Sequence, residues 1–328
     1  MHKTRPHRMM RILTLLTTTA VTTMALAGSA SAAAVSIDLC ATTGSTVLPG
    51  PPAPVAVQLW GFAPGDCFTT GNATAPGPVL TVDEGDVVTI NVKNDLTRTI
   101  SFEIPGVTFD PGISDAAPRG NLGDSVSRTF TASRPGTYLY QSVGDGERQT
   151  AMGLYGALIV RSATAGQAYD TAGGYDDQAT LVLSAVDPAF NNAVDPSTFD
   201  MRDYHATQWL INGTSFDPVN PHLNDITHPH GSRVLLRYVN AGFDNTTMLL
   251  VGAHERVLAR DAHLLPNPFD ADAETIPAGA TEDVIVTVPA ASSALPNGFP
   301  LYNRQLHLSN GAPSDPASLG GMMTFIAQ

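Results

Sequence analysis

The sequence GDVVTINVKN at residues 85–94 has a counterpart, GSRVLLRYVN, at residues 231–240. Each stretch places Gly at a turn, an alternating strand behind it, and Asn nine residues after the Gly. Two more parallels follow in the same order, PGTYLY (135–140) with FPLY (299–302) and GALIV (156–160) with GMMTFI (321–326). The offset between the copies grows along the chain, which places insertions in loops. The repeat predicts a duplicated β-sandwich.

Short β-branched runs recur along the whole chain between Pro, Gly and Asn residues, while helix-period patterns are scarce. We therefore predict an all-β protein of two tandem Greek-key β-sandwich domains. The small, polar segment 162–177 is predicted to be a flexible linker between a first domain at 33–161 and a second domain at 178–328.

The first 32 residues have the features of a secretory signal peptide. A basic start precedes an apolar, Thr-rich stretch from Ile12 to Leu26, and Ala30-Ser31-Ala32 is a small-residue cleavage site. No later stretch is long and apolar enough to span a membrane. We predict cleavage near Ala32 and a secreted protein, either extracellular or in the cell envelope.

The remaining chain is strongly acidic. Four of the 17 basic residues and none of the 30 acidic ones precede residue 33, which leaves 13 basic residues, 30 acidic residues and a net charge of −17. A surface of this sign repels phosphate, so nucleic acid is excluded as a partner.

Cys40 and Cys67 are the only cysteines. An even count in an oxidising compartment favours one disulfide between them, with two buried or free thiols as the alternative.

Several motifs give the chain a family resemblance. PGPVLTVDEG (76–85), NDL (94–96), PGTYLY (135–140) and GLYGALIV (153–160) resemble, in order and spacing, the first cupredoxin domain of multicopper oxidases. LING (210–213), RYVNA (237–241) and GAH (252–254) resemble the domain that follows it. The resemblance implies two cupredoxin-like domains and a laccase-like reaction, in which one copper takes electrons from a substrate and a three-copper cluster reduces dioxygen. Shorter family members form trimers, so a homo-trimer is also implied.

The copper ligands that the resemblance implies are missing from the first domain. The family supplies its cluster with His-x-His pairs, and strand alternation turns both rings of a pair to one side. Here the first pair corresponds to Glu103 and Pro105, and the second to Gln141 and Val143. Glutamine is a poor copper ligand, and proline and valine side chains have no atom that binds copper. These four positions are predicted to be degenerate copper-ligand positions.

The second domain departs from the family in the same way. The His-Cys-His strand that leads to Gly-Met falls between Tyr302 and Met323, where only His307 and Met322 remain as candidate ligands. This half of the chain has no cysteine, and a blue copper site needs a thiolate.

Other side chains are weaker metal candidates. His222, His228 and His230 lie close together, either as a copper or zinc site or as solvated loop histidines. His254 favours a hydrogen-bonded structural role over metal binding. The carboxylates of 270–274 are spaced as in a calcium loop but lack its glycine, which favours a solvated acidic loop.

Two hypotheses of function follow. In the first, the protein has lost its copper centres, has no cofactor, and is a non-catalytic binding or envelope-associated protein. Its partner would be an unknown small molecule or envelope protein, bound in an inter-domain groove lined by Glu103, Gln141 and Tyr140. In the second, it is a copper-dependent, laccase-like oxidoreductase with an unconventional site. No catalytic residue is identified.

Overall fold

The computed structural model describes residues 32–50, 53–67, 73–110, 116–117, 124–311 and 318–328. The predicted signal peptide lies outside these residues except for Ala32. Strands dominate the described chain, which confirms the all-β prediction.

The first domain is a sandwich of short sheets. Its described elements are β1 (Ala34–Leu48), β2 (Val55–Pro64), β3 (Leu80–Asp83), β4 (Val87–Asn94), β5 (Ile100–Ser101), β6 (Ala116–Ala117), β7 (Ser125–Thr131), β8 (Gly136–Gln141), α1 (Arg148–Met152) and β9 (Tyr155–Arg161). The strand orders are β2-β1-β4-β7 and β3-β9-β8, and β5 pairs with β6. Alternate residues of β4 are buried, and Ile90 from this strand shares one apolar core with Leu158 from β9.

The predicted linker contains a small hairpin of β10 (Gln167–Tyr169) and β11 (Ala172–Gly174). Tyr169 is buried, so this hairpin is packed against the protein although its composition predicts flexibility. The last linker residue, Asp177, already belongs to the next strand. The domain boundaries themselves stay a prediction.

The second domain has two larger sheets. Its described elements are β12 (Asp177–Val186), α2 (Pro188–Asn191), the 3-10 turns Pro196–Thr198 and Met201–Asp203, β13 (Gln208–Ile211), β14 (Ile226–Thr227), β15 (Arg233–Asn240), β16 (Thr246–Leu250), β17 (Glu255–Arg260), β18 (His263–Ala271), β19 (Ala273–Ile276), β20 (Thr281–Thr287), β21 (Phe299–Asn303) and β22 (Met323–Ala327). The strand orders are β13-β12-β15-β20-β17-β18 and β14-β22-β21-β16-β19. Side chains from both sheets form one core, to which Val234 and Leu301 contribute.

The predicted repeat is confirmed in detail. Strand β4 pairs in parallel with β1 and antiparallel with β7, and β15 does the same with β12 and β20. Both turn glycines have positive φ, 92° at Gly85 and 84° at Gly231. The amide of Asn94 accepts from the N–H of residue 96 and donates to the carbonyl of residue 98. Asn240 makes the same two bonds, to residues 242 and 244. The Gly-to-Asn spacing that the two copies share therefore reflects the same turn structure after β4 and after β15.

The disulfide prediction is also confirmed. Cys40 in β1 and Cys67 after β2 are bonded, with their Cα atoms 5.1 Å apart. Both cysteines of the chain are used.

A buried polar network joins the two domains. Arg237 on β15 and Asp283 on β20 form an ion pair at 3.5 Å with both side chains 1% exposed. Asp283 also accepts hydrogen bonds from Thr137 on β8 and from Tyr169 of the linker hairpin, each at 2.5 Å. Arg237 donates in addition to Thr137 Oγ1 at 3.1 Å and to Gln178 Oε1 at 2.9 Å. The network fixes β8 of the first domain against the large sheet of the second.

Two further contacts cover the rest of the domain interface. The segment 187–207 of the second domain lies on the first, where Asn191 and Asn192 donate to backbone carbonyls of β2 and Asp195 pairs with Arg98. At the tip of the β17–β18 hairpin, Ala262 packs against Gly136, where a Cβ atom would approach the Ala262 Cβ to 2.6 Å. Gly136 is therefore required for this close approach.

Within the described ranges, every helix is too short or too polar to cross a membrane.

Candidate functional site

The first candidate site is the end of β8, where the backbones of Gln141 and Glu103 form a bridge. Each N–H donates to the opposite carbonyl oxygen at 3.0 Å. The side chains are bonded as well, because Gln141 Nε2 donates to Glu103 Oε1 at 2.9 Å. Two of the four predicted ligand positions therefore bind each other.

The other two positions flank this pair. Pro105 is exposed at a turn, and Val143 is half-buried with its backbone N–H donating to Ser101 Oγ at 3.1 Å. Neither side chain has an atom that binds a metal ion. The four positions together offer one carboxylate and one amide oxygen.

Ser142, between Gln141 and Val143, has a structural role. Its hydroxyl is fully buried, accepts from the Ser101 N–H at 2.9 Å and donates to Gln149 Oε1 at 2.6 Å. Gln149 in turn donates to the carbonyl of Thr99 at 2.8 Å. This chain of hydrogen bonds fixes helix α1 beneath the strand end and uses the buried hydroxyl of Ser142 as a structural link.

Tyr140 does not line a groove, which corrects the sequence prediction. It has no exposed surface, its ring packs against Phe62 and Phe102, and its hydroxyl donates to the carbonyl of Pro78 at 2.7 Å. Burial raises its pKa well above the usual value. The alternation of β8 explains the error, because Tyr140 faces the core when its neighbour Gln141 does not.

A second carboxylate lies near this strand end. Glu147 precedes helix α1 with a φ of 67°. Partial burial and then the charge of Glu103 raise the pKa of Glu147, while a hydrogen bond from Thr150 opposes them. The end of β8 is therefore acidic.

The second candidate site is the corresponding end of β21, which also carries an amide side chain. Asn303 is fully buried, its Oδ1 accepts from the N–H of Gln305 at 2.9 Å, and its Nδ2 lies 3.8 Å from the sulfur of Met322. Gln305 extends the network by donating to the carbonyl of Asn245 at 2.8 Å. This strand end is closed by hydrogen bonds within the second domain.

The structure brings His307 and Met322 together. Both line a small cavity with Asp244, and the N–H of Met322 donates to the carbonyl of His307 at 3.0 Å. The imidazole of His307 stacks on Trp209 with ring centres 4.3 Å apart and planes at 11°. Burial lowers the pKa of His307, so the ring favours its neutral form, in which a ring nitrogen can bind a metal ion.

The three loop histidines have separate partners. His222 Nδ1 lies 2.7 Å from Asp225, His228 Nδ1 lies 3.5 Å from Asp177, and His230 Nδ1 lies 3.1 Å from the carbonyl of Val288. Among the residues that the structure describes, no group of three His, Cys, Asp or Glu side chains is placed to hold a metal ion. A metal site at this loop stays a prediction that the geometry does not favour.

His254 and the nearby carboxylates form pairs at the surface. His254 Nδ1 lies 2.5 Å from Asp272, and both side chains are largely exposed. Asp270 lies in β18 and pairs with Arg256, while Glu274 lies in β19 and pairs with Arg260. These carboxylates are therefore mostly in strands, not in the loop that the sequence predicts.

Two buried glutamates were missed by sequence reasoning. Glu255 and Glu282 are at most 1% exposed, and burial raises their pKa values to about 7 and about 8. Glu255 accepts from Tyr238 at 2.5 Å, and Glu282 pairs with Arg260 at 2.8 Å. Each glutamate has one oxygen that is buried and unpaired among the described residues. The sequence EDVIVTV could have predicted one of them, because strand alternation places Glu282 on the same buried face as Val284.

Comparison with known proteins shows which proteins the chain resembles. Residues 63–165 match the profile of the multicopper oxidase family. Laccase-2 of Botryotinia fuckeliana is 28% identical over 259 residues, which cover 68% of this chain and 40% of the laccase. The copper-containing nitrite reductase of Alcaligenes xylosoxydans xylosoxydans is 24% identical over 238 residues, 66% of this chain and 70% of the reductase. The chain thus spans about two fifths of the length of Laccase-2.

Solved structures agree on the fold. The blue copper oxidase from Nitrosomonas europaea superposes with a TM-score of 0.73 over 90% of this chain and 86% of its own, at 21% identity. The copper nitrite reductase from Nitrosomonas europaea gives a TM-score of 0.68 over 90% and 94%, at 20% identity. The profile match and these relatives make the chain similar to multicopper oxidases, and its fold is that of tandem cupredoxin domains.

Proposed function

We propose that this chain is a secreted multicopper oxidase-like protein that has lost its copper centres and is a non-catalytic binding or envelope-associated protein. The observation that carries the proposal is the hydrogen bond of 2.9 Å between Gln141 Nε2 and Glu103 Oε1. In the resembled enzymes both positions hold imidazoles that bind copper. Here each side chain satisfies the other instead.

The residues at the end of β8 do not fit a copper cluster. Cu(II) in such a site is bound by imidazole nitrogens, and Pro105 and Val143 supply no ligand atom. The one carboxylate, Glu103, already accepts from Gln141. A blue copper site is also unsupported, because it needs a thiolate and both cysteines of the chain are in the disulfide.

Location and partner are part of the same proposal. The signal-peptide features of residues 1–32 and the disulfide between Cys40 and Cys67 support an oxidising compartment outside the cytoplasm. The partner is a small molecule or an envelope protein. A homo-trimer would not restore a cluster between chains, because every copy has the same four substitutions.

A specific observation favours a second candidate function. His307 and Met322 line one cavity, and an imidazole nitrogen with a thioether sulfur is a ligand pair that suits copper. If copper binds there, the protein would be a copper-dependent oxidoreductase with an unconventional site in its second domain.

Copper loading separates the two functions. The purified chain without its first 32 residues is incubated with Cu(II), dialysed, and analysed for bound copper, blue absorption, and oxygen uptake with a phenol. We expect less than stoichiometric copper and no turnover. Stoichiometric copper with phenol oxidation would overturn the non-catalytic proposal and establish the second function.

Two variants assign any copper that does bind. His307→Ala removes the imidazole beside Met322, and His254→Ala removes an exposed imidazole as a matched control. Copper held at the second-domain cavity is lost in the first variant and retained in the second. Equal retention in both variants would show that the cavity is not the site.

A further inference from the structure

Two cavities of the second domain share the side chain of Asp225 as a wall. One has a volume of about 240 Å³ and is lined by polar residues and by apolar ones such as Leu181 and Phe216. The other has a volume of about 370 Å³ and is lined by Leu295 and Phe299 among others. Asp225 immediately precedes the short strand β14, whose pairing with β22 fixes its position. Both volumes suit small organic molecules.

Asp225 is a buried carboxylate with one free oxygen. Its side chain is 7% exposed, and Oδ2 accepts a hydrogen bond from His222 Nδ1 at 2.7 Å. Oδ1 is buried and has no hydrogen-bond partner among the described residues. Leaving a buried charged acceptor without a donor is costly, and such a group calls for a missing donor.

The surroundings of Asp225 supply no second cation. Neither cavity is lined by lysine or arginine, and His222 is the only titratable basic side chain in either wall. The chain as a whole carries an excess of acidic residues. A metal ion has too few ligands here, because His222 and Asp225 are not joined by a third His, Cys, Asp or Glu in the described part of the chain. An N–H or O–H group of a bound molecule would supply the missing donor, and the excess of acidic residues favours a cation.

We propose that these cavities bind an organic ammonium ion, a primary or secondary amine whose N–H group donates to Asp225 Oδ1. The hydrocarbon part of the ligand packs against the apolar side chains of these mixed walls, Leu181, Phe216, Leu295 and Phe299. A charge-assisted hydrogen bond to a carboxylate is about twice as strong as a neutral one, so charge is the main determinant of selectivity.

Access to Asp225 Oδ1 requires a local movement of the residues around it. The oxygen has no contact with solvent, whereas the His222 side chain is 53% exposed. His222 lies on the segment 217–225, which also exposes Val219 and Leu223. His222 lines the second cavity and is bonded to Oδ2 of the same carboxylate, so we place the entry of the amine on this side.

The test uses benzylammonium as the ligand and benzyl alcohol as its neutral counterpart. Isothermal titration of the purified chain is expected to give saturable binding of one benzylammonium per chain, with benzyl alcohol bound at least about tenfold more weakly. Asp225→Asn keeps the shape and removes the charge, and is expected to weaken benzylammonium binding by about tenfold or more. Asp270→Asn, at an exposed carboxylate on β18, is the control and leaves binding unchanged.

Three outcomes would overturn the proposal: no saturable binding of benzylammonium, equal affinity for benzyl alcohol, or unchanged affinity in Asp225→Asn. The comparison of the two ligands uses the unmodified chain, so it decides even if the variant fails to fold. Nuclear Overhauser contacts between the benzyl protons and the side chains of Ile226 and Phe299 give an independent check of the location. Their absence despite tight binding would place the amine elsewhere. None of these measurements depends on copper, so failure here leaves the proposed function untouched.

Discussion

In each domain, equivalent strands end with an amide residue, Gln141 in β8 and Asn303 in β21, but the two amides have different surroundings. Gln141 is half-buried and donates to the carboxylate of Glu103. Asn303 is fully buried and bonds within a loop that also holds His307 and Met322. One strand end is thus an acidic hydrogen-bonded surface, and the other lies beside an imidazole and a thioether.

The difference concerns how the polar side chains at each strand end are satisfied. At β8 the side chains of Gln141 and Glu103 satisfy each other, so this end needs no ligand to be stable. At β21 the donor atoms of His307 and Met322 remain beside a cavity, and stacking on Trp209 orients the imidazole. Any metal binding is therefore expected in the second domain. The two strand ends can be compared experimentally because each domain contains one tryptophan, Trp60 and Trp209.

The largest effect is expected from separating the two domains. Asp283→Ala leaves the buried guanidinium of Arg237 without its ion pair and removes the acceptor of Thr137 and Tyr169. Removing one partner of a buried ion pair costs about 3–5 kcal/mol in the free energy of unfolding. Variants that retain only Trp60 or only Trp209 report the urea unfolding of the first or the second domain. In Asp283→Ala we expect the unfolding transitions of the two domains to separate.

The control for this change is Asp272→Ala, which removes an exposed carboxylate and is expected to cost little. Replacing both partners, as Arg237→Met with Asp283→Leu, should recover part of the loss because no charge is left buried alone. A loss below about 1 kcal/mol in Asp283→Ala would mean that this network does not hold the strand ends together.

The second effect is a pH dependence confined to the second domain. Burial raises the pKa of Glu282 from 4.5 to about 8 and that of Glu255 to about 7. A carboxyl with a raised pKa binds its proton more tightly in the folded state, so its stabilising contribution is complete below pH 4.5 and is lost as the pH rises to about 8. We expect the free energy of unfolding followed at Trp209 to fall by several kcal/mol between pH 5 and pH 8.5, with the larger share from Glu282.

Glu282→Gln tests the assignment, since it keeps a hydrogen-bond acceptor for Arg260 and cannot ionise. The variant should flatten the pH dependence, with its largest gain over the unmodified chain near pH 8.5. Asp272→Asn, at an exposed position, should leave the slope as it was. An unchanged slope in Glu282→Gln would show that another group titrates.

The sequence predicts the fold well because the fold rests on local patterns. Alternation and turn residues identify β4 and β15, and the shared bonds of Asn94 and Asn240 explain why their spacing repeats. The linker hairpin was missed because its residues are small and polar. Its order depends on a distant contact, the hydrogen bond from Tyr169 to Asp283, which no local pattern contains.

The candidate sites were only partly predictable for the same reason. The sequence shows which ligands are missing at Glu103 and Gln141, but the hydrogen bond between them joins residues 38 positions apart. Likewise, His307 and Met322 meet only because strands β21 and β22 pair. The free oxygen of Asp225 could not be inferred at all, since burial and the absence of a donor are properties of the folded chain.

The smallest effects come from the two amides themselves, and they sharpen the contrast between the strand ends. Asn303→Ala removes a fully buried amide and leaves the N–H of Gln305 without its acceptor, at a cost of about 2 kcal/mol. Gln141→Ala should cost about 1 kcal/mol or less, because Glu103 is partly exposed and water can replace the lost donor. Unfolding followed at Trp209 for the first variant and at Trp60 for the second measures both. Equal costs would mean that the end of β8 is as closed to water as the end of β21, and that the Gln141–Glu103 pair stabilises the fold instead of forming an accessible binding surface.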